Sequence, residues 1–157
     1  MSERFSTAGM YLAYCVESTV GSRPTSGYTT IPEVKSMPSF NPQPDGIEST
    51  TLAETEYKTY VKGLKDVGQA LEFNANMTDD LDTAWTALIA AYNSAIAATP
   101  AKAVWFAVVH PKLSKATYFT GDPAGIGLNE ATVGGMAETT LYITPTGAPV
   151  RAAKPST

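Results

Sequence analysis

The sequence predicts an α+β fold that is mainly β: a β-sandwich or barrel of two antiparallel sheets with one flanking α-helix. Three observations predict it. Short runs of alternating or continuous apolar residues recur along the 157-residue chain, which is the signature of strands. A single stretch, 78–98, carries apolar residues at helical spacing. The 12 Gly, 11 Pro and 21 Thr favour turns and extended backbone over helix.

The first strand is expected over Met10 to Glu17, where Tyr11, Ala13 and Cys15 alternate with Leu12, Tyr14 and Val16, an aromatic and branched pattern buried on both sides. Ser18 to Gly27 reads as a loop. Tyr28 to Met37 resumes extended structure around Ile31 and Val34, but Pro32 and Pro38 demote it to an edge or interrupted strand, because proline cannot donate to a ladder. Residues 39–68 form a long connection with weak periodicity, with strand-like pieces at Ile47 to Thr51 and Tyr57 to Val61. Connections of that length within a domain are usually functional or disordered, and the aromatic content here argues against disorder.

Leu71 to Met77 alternates cleanly, with Leu71, Phe73, Ala75 and Met77 on one face and Glu72, Asn74 and Asn76 on the other, a half-buried strand. Thr78 then caps a helix whose early Asp79, Asp80 and Asp82 suit the positive end of the dipole. Leu81, Trp85, Leu88, Ile89, Tyr92 and Ile96 make one apolar stripe, of which Leu81, Trp85, Leu88, Ile89 and Tyr92 are the expected core face. Pro100 stops the helix near Ala98. Ala103 to Val109 reads as a central strand, Lys115 to Thr120 as its hairpin partner, Gly121 to Gly127 as a turn-rich break, and Gly134 to Thr144 as the closing strand. The expected organisation is a single domain over 1–148 and a flexible C-terminal tail over 149–157.

Composition excludes several functions. With 11 Lys+Arg against 15 Asp+Glu the net charge is −4, and no Lys/Arg cluster stands out in the sequence, which argues against gripping phosphates. One Cys and one His leave no intramolecular disulfide and no Cys/His zinc site. No segment approaches the roughly 20 apolar residues needed to span a bilayer, and the first ten residues lack the apolar run of a signal peptide. These points lead to the expectation of a soluble domain without cofactor or metal.

Candidate chemical groups favour bland readings. A calcium loop starting at Asp80 would need Gly and Glu where Trp85 and Ala91 stand. The glycines of 121–127 have no following Lys-Ser/Thr and no helix signal, so a phosphate loop gives way to a turn. His110 ends an apolar strand before a proline and reads as a histidine that satisfies a local backbone group. Cys15 reads as a buried inert thiol. Glu54 and Glu56 share one side of an extended segment but would need a pocket to act as paired carboxylates. The expectation is therefore not an enzyme. Little guards the sheet edges, which is a liability in a monomer and an asset where subunits pair edge to edge.

The order and spacing of four segments carry a resemblance: Ile31-Pro32-Glu33-Val34-Lys35-Ser36-Met37-Pro38, Pro44-Asp45-Gly46-Ile47-Glu48-Ser49-Thr50-Thr51-Leu52, Tyr60-Val61-Lys62-Gly63-Leu64-Lys65-Asp66-Val67-Gly68 and Leu71-Glu72-Phe73. Together with Val104-Trp105-Phe106 and Leu141-Tyr142-Ile143-Thr144-Pro145-Thr146-Gly147, they resemble the major tail tube protein family of siphophages, whose long tails do not contract. The resemblance runs from Tyr28 to Gly147 and is most specific from Ile31 to Phe73. It implies a β-sandwich with a flanking helix, assembled as a homohexameric ring whose inner sheets join into a barrel. Stacked rings would form a tube through which DNA passes unbound during genome ejection.

The implied partners are other copies of the chain and other tail proteins such as the tape measure and tail terminator, without membrane insertion. The implied place is the virion tail, assembled in the host cytoplasm. The long loop 39–68 would contact the neighbouring ring through Ile47, Leu52, Tyr57, Tyr60 and Leu64. In such a tube the polar strand faces would line the lumen, with Glu72, Asn74, Asn76, Glu138 and Thr140 facing DNA; an acidic wall repels phosphates where a basic one would trap them. The alternative is a monomeric β-sandwich binding module for surfaces or carbohydrates, with exposed aromatics on a sheet face.

Overall fold

The computed structural model describes residues 4–41, 44, 46–53, 56–58, 60–62 and 70–155. Among the described residues, ten strands and one helix follow in the order β1 (Tyr11–Val16), β2 (Thr29–Ile31), β3 (Val34–Ser36), β4 (Gly46–Glu48), β5 (Tyr60–Lys62), β6 (Leu71–Asn76), α1 (Asp79–Ala97), β7 (Val104–Val109), β8 (Lys115–Pro123), β9 (Glu138–Pro145) and β10 (Val150–Ala153). The fold is mainly β with one flanking helix, as the alternating runs and the single apolar stripe predict.

The two sheets are two layers of one curled antiparallel sheet, ordered β2-β1-β7-β8-β9-β6-β3, with β10 beside β8: layer one is β2, β1, β7, β10 and the first part of β8, and layer two is the end of β8 with β9, β6 and β3. Strand β8 makes the corner. Its first part pairs with β7, from Val108↔Thr117 to Trp105↔Thr120, and its last three residues pair with β9, from Gly121↔Pro145 to Pro123↔Ile143. A Cβ on Gly121 would stand 2.5 Å from Ile143 Cγ2 and 3.1 Å from the Thr144 carbonyl oxygen, so the bend needs a residue without a side chain. The turn-rich break expected at 121–127 is corrected accordingly: the strand runs on through Pro123 before the chain turns.

At the two ends of the strand order stand β2 and β3, edge strands joined by Pro32-Glu33, with Glu33 at φ +66. The two prolines do mark an interrupted edge, as expected. This arrangement brings the sheet back on itself as a half-barrel.

Helix α1 packs on the concave side. Thr78 Oγ1 accepts a hydrogen bond from Leu81 N at 3.2 Å, closing the N-terminus. Leu81, Trp85 and Leu88 are buried, and Ile89 and Tyr92 are half-buried against the same core. Ile96, read as part of the stripe, is half exposed, and Ala95 takes the buried position one residue earlier. The Trp85 indole N–H donates to the Ala124 carbonyl at 2.8 Å, which ties the helix to the chain just beyond β8. Leu12, Ile31, Phe73, Phe106, Phe119, Leu141 and Ile143 complete this core from both layers.

One boundary is overturned. Residues 150–153 do not belong to a loose tail: β10 pairs with β8 from Val150↔Tyr118 to Ala153↔Lys115. The reason is a small apolar cluster on the convex side of layer one, where Ala152 packs with Ala107, Val109, Ala116 and Tyr118. A four-residue strand of mixed polarity gives little signal in a sequence, and this one forms because β8 offers it an edge.

Candidate assembly surfaces

Layer one is covered on both faces. Its convex cluster lies under Tyr11, Tyr28 and Trp105, and the segment 17–28 folds over it: the Arg23 guanidinium sits 4.3 Å from the centre of the Tyr118 ring, and Tyr28 Oη donates to the Pro24 carbonyl at 2.9 Å. Glu17 anchors the start of that segment. Its carboxylate is buried and accepts from Ala103 N at 2.9 Å and from Trp105 Nε1 at 3.1 Å. Burial pushes its pKa up, but those two hydrogen bonds, a third from the Gly21 backbone and the charge of Lys102 outweigh burial and hold it below the ordinary 4.5. Sequence reasoning did not single out Glu17, because its partners are 86 and 88 residues away.

The outward face of layer two is polar and open to solvent. On β6, Glu72 and Asn74 are exposed and Asn76 is half-buried; on β9, Glu138 and Thr140 are half-buried. The register sets Glu72 opposite Tyr142, Asn74 opposite Thr140 and Asn76 opposite Glu138, so all five predicted residues share one face. A ladder crosses three strands and the loop before β9: Asn74 Nδ2 donates to Ser36 Oγ at 3.0 Å, Thr140 Oγ1 donates to Asn74 Oδ1 at 3.2 Å, and Asn129 Nδ2 donates to Thr140 Oγ1 at 3.1 Å. Glu138 is not the lone acid that the alternation suggests, since Lys35 on β3 forms an ion pair with it. Glu72 has no such partner among the described residues.

Strands β4 and β5 form a separate two-stranded hairpin, with Gly46↔Lys62, Ile47↔Val61 and Glu48↔Tyr60. No other strand or helix packs substantially on it among the described residues. Its apolar side chains stand in solvent, from 59% exposed at Ile47 to 106% at Leu52, with Tyr57 and Tyr60 between them. Leu64 lies outside the described residues. A lone two-stranded hairpin is at best marginally stable in water. Leu128, Val133 and Met136, in the loop between β8 and β9, are a second set of exposed apolar side chains.

Folding also creates a basic end that the sequence hides. The β7–β8 turn carries Lys112, β8 opens with Lys115, and β10 brings Arg151 and Lys154 beside them: Arg151 pairs with Thr117, Ala153 with Lys115, and Lys154 Nζ donates to the Pro111 carbonyl at 3.0 Å. The expectation that the chain has no Lys/Arg cluster is corrected here, because cations 36 to 42 positions apart become neighbours only through the β8–β10 pairing.

His110 is buried, its Nδ1 accepting from Lys112 N at 3.0 Å and its Nε2 lying 2.6 Å from the Ser6 carbonyl oxygen; Nε2 therefore carries the hydrogen. Cys15 is half-buried, and burial pushes its thiol pKa up, away from the thiolate a nucleophile needs. Glu56 is exposed and Glu54 lies outside the described residues. A groove of about 510 Å³ runs between Thr7–Met10 and β3, and Lys35, the charged group among its described lining residues, is engaged with Glu138. Among the described residues no three potential metal ligands converge, and no helix is long and apolar enough to cross a membrane.

No family model matches the sequence, and no curated protein matches it. Among solved structures, the chain is similar to one in the baseplate of the anti-feeding prophage, determined by cryo-electron microscopy with six-fold symmetry. The two share 8% identity over 98% of each chain, with a TM-score of 0.60. That likeness extends the shared fold from end to end.

Proposed function

We propose that the chain is a structural subunit of a phage tail or tail-like particle, acting by assembly rather than catalysis. In this reading it forms homohexameric rings that stack into a tube, with DNA passing through the lumen without specific binding. The observation that carries it is the end-to-end likeness to a chain of a six-fold prophage baseplate. Further support comes from the open edges at β2, β3 and β10, which suit edge-to-edge pairing, and from the solvent-exposed apolar hairpin.

In such a ring the polar face of layer two lines the channel, with Glu72 repeated six times as its unpaired acid and Lys35–Glu138 as a charge-balanced pair. The hairpin 46–62 reaches the next ring. Other tail proteins cap and fill the tube, and the assembled product resides in the virion tail.

Electron microscopy of the purified protein across a concentration series tests the proposal. Rings about six subunits around, or tubes built from them, are the expected result. A species that stays at the mass of one chain at every concentration contradicts it and favours the monomeric binding module.

A further inference from the structure

We infer that the basic end of layer one, built by the β7–β8 turn and β10, is the seat for the β4–β5 hairpin of a second copy of this chain. Lys115 and Arg151 of one copy face Glu48 and Glu56 of the next. The inference rests on the reading of the hairpin as a contact between copies and adds the surface that receives it.

The charges of the two surfaces are complementary. Lys115 and Arg151 lie on paired strands two positions out of register, which sets them as diagonal neighbours on one face, about 7–8 Å apart at the backbone. Lys112 and Lys154 flank them, and all four side chains are exposed. The sequence has no acid over 103–121 and none from 146 onward, and among the described residues no carboxylate pairs with any of the four. Like charges gathered this way repel unless an anionic surface covers them.

The hairpin supplies that surface. Over 45–56 the sequence has four acids and no Lys or Arg, and Glu48 and Glu56 are exposed. Lys62 lies diagonally across from Glu48 on the same face, but over 45–62 the four acids outnumber Lys58 and Lys62 by two, so the hairpin carries net negative charge. Apolar contact is available on both sides: Leu113 is exposed in the β7–β8 turn between Lys112 and Lys115, and Tyr60, opposite Glu48 in the hairpin register, is exposed on the hairpin. Donor and acceptor are different surfaces of one chain. The contact is therefore heterologous, and repeating it builds rings or open stacks rather than a closed pair.

Charge exchange tests this. Lys115→Glu/Arg151→Glu and Glu48→Lys/Glu56→Lys should each raise the concentration needed for assembly by about tenfold or more at physiological ionic strength, and joining all four changes should recover most of that loss. Light scattering reads assembly, and circular dichroism checks that each variant stays folded, as expected for exposed positions. Either double variant assembling like the wild type, or the fourfold variant failing to recover, overturns the inference while leaving the hairpin reading intact. Wild-type protein that never assembles overturns both. Duplex DNA that binds the wild type and not Lys115→Glu/Arg151→Glu, with assembly unchanged, overturns it in favour of a nucleic-acid seat.

Discussion

The half-barrel and the β4–β5 hairpin are made of the same kinds of residue and obey opposite rules. In the half-barrel, β6 buries Leu71, Phe73 and Ala75 and exposes Glu72 and Asn74, so each apolar side chain has a core to enter. In the hairpin, Ile47, Leu52, Tyr57 and Tyr60 have none. A sheet of eight strands closed by a helix satisfies its own hydrophobic surface; two three-residue strands cannot. Stability is thus concentrated in the half-barrel, and in the proposed assembly the hairpin is the part that another copy would bury.

Several changes would break or sharpen that contrast. The largest effect is expected from Leu88→Asp, which places an unpaired charge against Trp85 and the core of both layers. Burying a charge without a partner costs several kcal/mol, enough to remove most of a domain's margin, and thermal melting should show an unfolded or barely folded chain.

A smaller loss follows from Gly121→Ala. The added Cβ meets Ile143 and the Thr144 carbonyl, and overpacking at the corner should cost about 1–3 kcal/mol in denaturant unfolding.

The next contrast is with pH. The folded pKa of Glu17 lies below its ordinary value, so its contribution is fully present above pH 4.5 and is lost as pH falls through the lowered folded pKa. Glu17→Gln should be less stable than wild type by about 1–3 kcal/mol at neutral pH, because the Trp105 N–H loses a charged acceptor. The gap between the two proteins should narrow as pH drops below 4.5.

The smallest effect on the subunit is expected in the hairpin itself. Leu52→Ser with Tyr57→Ser should shift unfolding by no more than about 0.5 kcal/mol, as exposed positions do, while assembly weakens. A large loss of subunit stability would mean that the hairpin already packs on its own chain.

The sequence makes the half-barrel more legible than its surfaces. Leu71–Asn76 alternates, and the helix announces itself through Thr78, the early aspartates and the spacing of Leu81, Trp85 and Leu88, because these signals are local. The double duty of β8 does not show in its residues, since Gly121 and Pro123 resemble a turn until β9 is seen beside them. β10, the basic end and the buried Glu17 are products of long-range pairing: Arg151 finds Thr117, and Glu17 finds Trp105, only after the sheet has formed. The exposed apolar residues of the hairpin stand out in the sequence, but that none of the other described residues covers them is visible only in three dimensions.

Amide hydrogen exchange at residues 46–48 and 60–62, measured on dilute subunits and on assembled protein, tests most directly the claim that the hairpin is completed by another copy. Exchange near the unprotected rate in dilute subunits, slowed strongly on assembly while β6 and β7 are protected in both states, is the predicted result. Equal protection of the hairpin in the two states, whether high or low, would contradict it.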